Sequence, residues 1–316
     1  MSITITGGIS FGGGVGITAA PPGGPTAGWY GGGKTPTQTS NVQRITFATD
    51  TATATTRGPL SAETYSLAAT GNDTKGWFGG GESSLVKTST VASITYAIDT
   101  ATASVRGPLS IDRYALAATG NTTNGWFGGG YSPSGGTSLV DRITYATDTA
   151  TASVRGPLSS ATYAAFFAAT GTDTDGWFGG GSSRSTVQRI TYATDTATAS
   201  VRGPLSLARF GLAASTDSTT YGWFGGGLAP GSVYVSLVDR ITYATDTAIA
   251  SVRGPLSVIR YRSSAAGNAT DGWFAGNNPA ITTVDRITYA TDTATASVRG
   301  PLSAGKYALA ATSGVQ

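Results

Sequence analysis

ITYATDTATASVRGPLS, residues 143–159, stands again letter for letter at 190–206 and 287–303, and near-copies begin at Ile45, Ile94 and Ile241. Each of the six copies follows a Gly-Trp pair and an aromatic or similar residue, with the tryptophans at Trp29, Trp77, Trp126, Trp177, Trp223 and Trp273. Successive tryptophans lie 48, 49, 51, 46 and 50 residues apart by subtraction of those numbers. A self-similar unit of this length is one supersecondary element that buries its apolar face only by stacking on its neighbours.

The unit divides into four short strands. Around Trp126 they read as strand a from Tyr114 to Thr119, strand b from Gly125 to Gly129, strand c from Arg142 to Thr147 and strand d from Thr151 to Arg155. Asn121 and Asp148 fall in the reversals, where their side chains favour tight turns. Six such units predict an all-β fold, a six-bladed β-propeller of four-stranded blades. Sets of b, c and d number six, whereas strand a has a seventh candidate at Gly16 to Ala20. We expect the C-terminal strand, Tyr307 to Thr312, to pair with the strand of Trp29 and seal the ring, leaving no open edge. The other arrangement puts Gly16 to Ala20 in the first blade. Closure assigns 28–316 to the propeller and 1–27 to a Gly/Pro-rich N-terminal arm and linker ending in Pro21, Pro22 and Pro25.

The aromatic strand b ending in glycines (WFGGG), the strand c with Arg and Tyr (RITYATD) and the Arg113-Tyr114 opening of strand a resemble a degenerate kelch motif. The usual tryptophan of strand d is replaced by TASVRG. That resemblance implies a kelch-like propeller and leaves function open, because one fold hosts many functions. The Gly-rich opening followed by repeats is similar in style to virion or tail-associated proteins of marine bacteriophages, of the cyanophage type. There an N-terminal segment docks on the particle, which implies other virion proteins as partners of the arm and a virion location. The start of the chain has neither the basic residues nor the apolar run of a signal peptide.

Composition excludes much chemistry. Histidine and cysteine are both absent, which removes His-based acid–base catalysis, catalytic triads, thiolate nucleophiles and Cys or His metal ligands. The expectation is a non-enzymatic protein without cofactor or metal. The net charge of +3 comes from scattered arginines, so nucleic acid is not expected, and no apolar stretch approaches the length of a membrane span, so membrane insertion is not expected either. Asp50, Asp99, Asp148, Asp195, Asp246 and Asp292 recur once per unit; a ring of catalytic carboxylates is the alternative to the turn-capping role that their position suggests. Arg57, Arg106, Arg155, Arg202, Arg253 and Arg299 recur likewise, and they read as ties between blades rather than a basic ring for anionic glycans. The tryptophans read as blade anchors rather than sugar-stacking platforms.

From strand c to the Arg of RGPLS the spacing is 13 in all six units, whereas the b-to-c loop ranges from about 7 to about 12 residues. The b-to-c and d-to-a connections of a blade emerge on one face, so a rigid disc carries its variable loops together. Lys34, Tyr131, Arg184 and Tyr234 are the ligand-binding candidates there. Three functions follow from these readings. They are a phage structural or host-attachment protein, a glycan-binding lectin-like propeller, and a kelch-type protein-interaction scaffold, the outward partner being a host-surface glycan or protein.

Overall fold

The computed structural model describes residues 25–159 and 166–313, which form six four-stranded antiparallel sheets set around one axis as propeller blades. Strands a, nearest the axis, are Ala310–Thr312, Ala68–Gly71, Ala117–Gly120, Ala168–Gly171, Ala213–Thr216 and Ser264–Gly267 for blades 1 to 6. Strands b are Ala27–Gly31, Lys75–Gly79, Asn124–Gly128, Asp175–Gly179, Tyr221–Gly225 and Asp271–Ala275. Strands c are Val42–Thr46, Val91–Thr95, Val140–Thr144, Val187–Thr191, Val238–Thr242 and Val284–Thr288. The outer strands d are Thr55–Arg57, Ser104–Arg106, Ser153–Arg155, Ser200–Arg202, Ser251–Arg253 and Ser297–Arg299.

Closure occurs as the repeat count requires. Ala310–Thr312 pairs with the first strand b in the register Trp29↔Thr312, Tyr30↔Ala311 and Gly31↔Ala310, so blade 1 is built from both ends of the described chain. The alternative strand at 16–20 and all but the last three residues of the expected arm lie outside the described residues. The strand bounds of the unit around Trp126 shift from the sequence reading by one to three residues, and two of the shifts have a structural cause. Strand a of blade 3 begins at Ala117, because Tyr114 and Ala115 are engaged elsewhere, and strand c stops at Thr144, where a 3-10 turn, Tyr145–Thr147, carries the chain toward strand d.

The core lies between blades. Neighbouring residues of a strand point to opposite faces, so in strand b the tryptophan packs forward on the next blade and the following aromatic packs backward. Trp177 of blade 4 shares a cluster with Phe224, Ile241 and Tyr243 of blade 5, while Phe178 clusters with Trp126 of blade 3. Each tryptophan stacks on the aromatic just after strand c of the next blade, as in Trp126 on Tyr192 at 3.8 Å with 5° between the rings. Such a buried indole contributes up to about 4–6 kcal/mol by area. Close approach of sheets also needs glycine in RGPLS. A Cβ on Gly203 would collide with the carbonyl oxygen of Ala248 in the next blade.

The recurrent aspartates are not turn caps. Their hydrogen bonds among the described residues cross the seam: each carboxylate receives the indole N–H of the preceding blade's tryptophan. Arginines of strands c and d from that preceding blade converge on it, as Arg44 (3.1 Å) and Arg57 (3.5 Å) do on Asp99. The arginines therefore tie blades together, with partners in the neighbour's c-to-d turn. The physical reason is burial: Asp99 is 7% exposed, and an ionised carboxylate there needs cationic and N–H donors. Asp148 has one arginine fewer, since strand c of blade 2 carries Ser93 at that place.

At the inner end of four seams the tyrosine just after strand c bonds a strand-a threonine of the preceding blade, with Thr70–Tyr145 at 2.9 Å, Thr119–Tyr192 at 2.9 Å, Thr170–Tyr243 at 2.8 Å and Thr312–Tyr96 at 3.3 Å. Between blades 6 and 1 both polar groups are replaced together. Phe47 stacks on Trp273 and packs in one cluster with Ala266.

Candidate functional site

A narrow axial passage runs between the strands a. Its far mouth is rimmed by Thr70, Thr119, Thr170, Thr216 and Thr312, and its middle by alanines. The near mouth opens on the face that carries the b-to-c and d-to-a connections, as expected from the loop pattern. Among the described residues, four b-to-c loops there fold into two-stranded hairpins, beginning at Lys34, Glu82, Tyr131 and Leu228. The first residue of each bridges the residue just before the mouth in its own blade, pairing Lys34 with Tyr307, Glu82 with Tyr65, Tyr131 with Tyr114 and Leu228 with Phe210.

The near mouth itself is framed by main chain. Ser66, Ala115, Phe166, Gly211, Arg262 and Ala308 occupy one place in each blade, two residues before strand a, and all have φ between 52° and 68°. Their peptides form a closed circuit. The N–H of Ala115 donates to Ser66, Phe166 to Ala115, Gly211 to Phe166, Arg262 to Gly211, Ala308 to Arg262, and Ser66 to Ala308, over 2.6–2.8 Å. The left-handed backbone costs about 1–2 kcal/mol for each residue other than glycine, and the circuit of hydrogen bonds offsets it. Sequence reading missed this annulus because only Gly211 carries the residue type that signals positive φ.

What aims this segment is buried just beneath it. Arg113–Asp141 (3.1 Å), Arg209–Asp239 (2.7 Å) and Arg260–Asp285 (3.0 Å) are ion pairs with both side chains fully buried, each joining the start of the mouth segment to strand c of its own blade. The same carboxylates accept N–H groups from the turn serines Ser110, Ser206 and Ser257. Blade 1 substitutes Lys306, whose ammonium donates to the carbonyl of Asn41 at 2.6 Å, and Gln43, which accepts from Ser303 at 2.6 Å. With no carboxylate beside it, burial pushes the Lys306 ammonium down to about 7.

Aromatic side chains crown the annulus. Ring contacts run from Tyr131 to Tyr114 (5.9 Å), Tyr114 to Phe166 (6.0 Å), Phe166 to Phe210 (6.4 Å), Phe210 to Tyr261 (5.4 Å) and Tyr261 to Tyr234 (5.7 Å). Hairpin cations reach forward onto the next blade's ring: Lys34 lies 3.8 Å over Tyr65 and Lys87 lies 5.7 Å over Tyr114. Burial raises the Tyr65 phenol above its ordinary range, and its hydrogen bond to the Glu82 carboxylate raises it further. Both phenols therefore stay neutral donors at ordinary pH, Tyr114 being raised by burial and Glu82 as well.

Of the four candidate loop residues, Lys34, Tyr131 and Tyr234 take part in this crown. Arg184 lies exposed on the shorter loop of blade 4, its carbonyl accepting from the N–H of Arg209. The six tryptophans are buried anchors and line no part of the mouth. The residue that the motif search passed over is Arg262. Its signal was a break in the repeat, an arginine in a column otherwise holding Ser66, Ala115, Phe166, Gly211 and Ala308. No protein-family model matches the chain, and no curated protein matches it either.

Proposed function

We propose that this protein is a non-enzymatic recognition propeller whose hairpin face holds a ligand, serving as an attachment component of a phage virion or tail. A propeller fits a binding or scaffold role, and the aromatic crown around the near mouth carries the choice of face. It combines phenol hydroxyls, aromatic faces and cations on main chain held rigid by buried ion pairs and the peptide circuit, the preorganised arrangement that ligand sites require. The near mouth is a small open depression of about 60 Å³, room for one group of a ligand whose remainder lies across the crown. The virion setting rests on the likeness in style of the glycine-rich opening, and the arm is the segment proposed to dock on other virion proteins.

Absence of cysteine makes the test clean. Single cysteines at Leu85, at a hairpin tip, and at Asp73, at the opposite end of blade 2, each carry a bulky polyethylene glycol without competing sites. Purified particles should contain the chain, and the Leu85 conjugate should lose adsorption to host cells while the Asp73 conjugate keeps it. Equal adsorption of both conjugates would overturn the assignment of the face. A lectin-like propeller free of any particle is the second reading, favoured by the phenol-rich crown, and absence of the chain from particles would select it.

A further inference from the structure

Fourteen of the arginines in the described chain lie within 4.0 Å of a carboxylate, but Arg262 does not. The segments outside the described residues, 1–24, 160–165 and 314–316, contain no Asp or Glu side chain that could serve it. Arg262 sits in the annulus at the propeller axis, half-buried. Its guanidinium lies 4.5 Å over the ring of Phe166 and 5.3 Å over that of Tyr261, and Nε donates to the Tyr261 hydroxyl at 3.2 Å. These contacts hold the group in place, while its two terminal nitrogens have no hydrogen-bond partner among the described residues. A guanidinium held against two rings with its fork unspent is preorganised for a bidentate oxyanion.

A second observation points to the same place. Ser66 and Ser263 line the near mouth beside Arg262, are 6% and 9% exposed, and have hydroxyls without a hydrogen-bond partner among the described residues. Buried hydroxyls are rarely left so, and each marks a place for a ligand or water.

We propose that the near mouth is an axial subsite for an acidic saccharide, whose carboxylate or sulfate is received by Arg262 while its ring lies among Tyr114, Phe166 and Tyr261. This deepens, and rests on, the reading of the hairpin face as the ligand face. A saccharide fits better than an acidic peptide because the six peptides of the annulus spend their N–H and C=O groups on one another, so an extended chain finds no strand edge to join there. The crown offers phenols and ring faces instead, the groups that suit sugar hydroxyls and C–H faces. The other five blades hold Ser, Ala, Phe, Gly and Ala at the equivalent place, so the stoichiometry is one acidic group per propeller.

Titration calorimetry on the full chain tests this with four probes: an oligouronate, a sulfated oligosaccharide, a neutral oligosaccharide of equal length, and hexaglutamate. Expected is one-to-one binding of an acidic oligosaccharide at least about tenfold tighter than the neutral one at low salt, converging as salt screens the charge. Whichever acidic probe binds tighter tells a carboxylate site from a sulfate site. Arg262→Gln should remove that preference, whereas Tyr131→Ala should weaken acidic and neutral probes together. Neutral binding that matches acidic binding overturns the subsite while leaving the hairpin face intact. Preference for hexaglutamate, an unaffected Arg262→Gln variant, or no saccharide binding by a chain that still adsorbs to cells through the hairpin face overturns it as well.

Discussion

Asp50 of blade 1 accepts a 2.9 Å hydrogen bond from the indole of Trp273 in blade 6, a residue 223 positions away in the chain. Arg286 (3.1 Å) and Arg299 (3.4 Å) converge on the same carboxylate, so the closing seam uses the device of the others. Asp50→Ala strands a buried indole N–H and two arginines, and should cost about 2–3 kcal/mol in urea unfolding. Asp148→Ala should cost less, by about 0.5–1 kcal/mol, because Ser93 replaces one of its arginines. Equal costs would show that the strand-c arginines add nothing to the seam.

Gly203→Ala should destabilise by about 2 kcal/mol or more, as overpacking does, since its Cβ has the backbone of Ala248 in the way and no flexible side chain can yield. Gly135→Ala, at a hairpin tip where a Cβ meets nothing within 4 Å, is strained by its φ of 113° alone. Thermal midpoints of the two variants separate interblade crowding from local backbone strain, and the first should fall further.

Phe47 and Ala266 form an apolar counterpart of the Thr–Tyr pairs in the neighbouring seams. Phe47→Tyr alone should destabilise by about 1–3 kcal/mol, because its hydroxyl would be buried without a partner. Adding Ala266→Thr should recover part of that loss. A double-mutant cycle by chemical denaturation reads the coupling, expected to be favourable by about 1 kcal/mol; additive effects would show that the paired replacement has no energetic basis.

Lys306 makes stability depend on pH. Its ammonium titrates at about 7 in the folded chain and near the ordinary 10.5 when unfolded. Below pH 7 both states are protonated and the group adds no slope. Between about 7 and 10 the unfolded chain binds a proton that the folded chain lacks, so stability rises with pH, by at most about 1.4 kcal/mol per unit. Lys306→Met should flatten that rise between pH 7 and 9.5, measured as denaturant midpoints. A rise that persists in the variant would place the titration elsewhere.

Blade number, closure and the role of the tryptophans were legible in the sequence because repetition exposes them: a verbatim 17-residue string and six Gly-Trp pairs leave few ways to arrange the strands. The aspartates were placed correctly in their turns but given the wrong partner, since their donors come from an adjoining blade about 70 residues or more away. The buried pairs such as Arg209–Asp239 were hidden by substitution, because blade 2 carries Thr64 and Ala92 where blade 5 carries Arg and Asp. The annulus was invisible for a different reason, as its conformation is imposed by hydrogen bonds between blades and not by local residue preference. Lys34, Tyr131 and Tyr234 were singled out because loops of varying length draw attention to themselves, whereas Arg262 sits in a segment of fixed spacing.

Because peptide groups alone complete the circuit from Ser66 round to Ala308, the aperture at the axis keeps its gauge whatever side chains stand on it. Divergence at those six positions can therefore change what the opening selects, one blade at a time, without asking the scaffold to move.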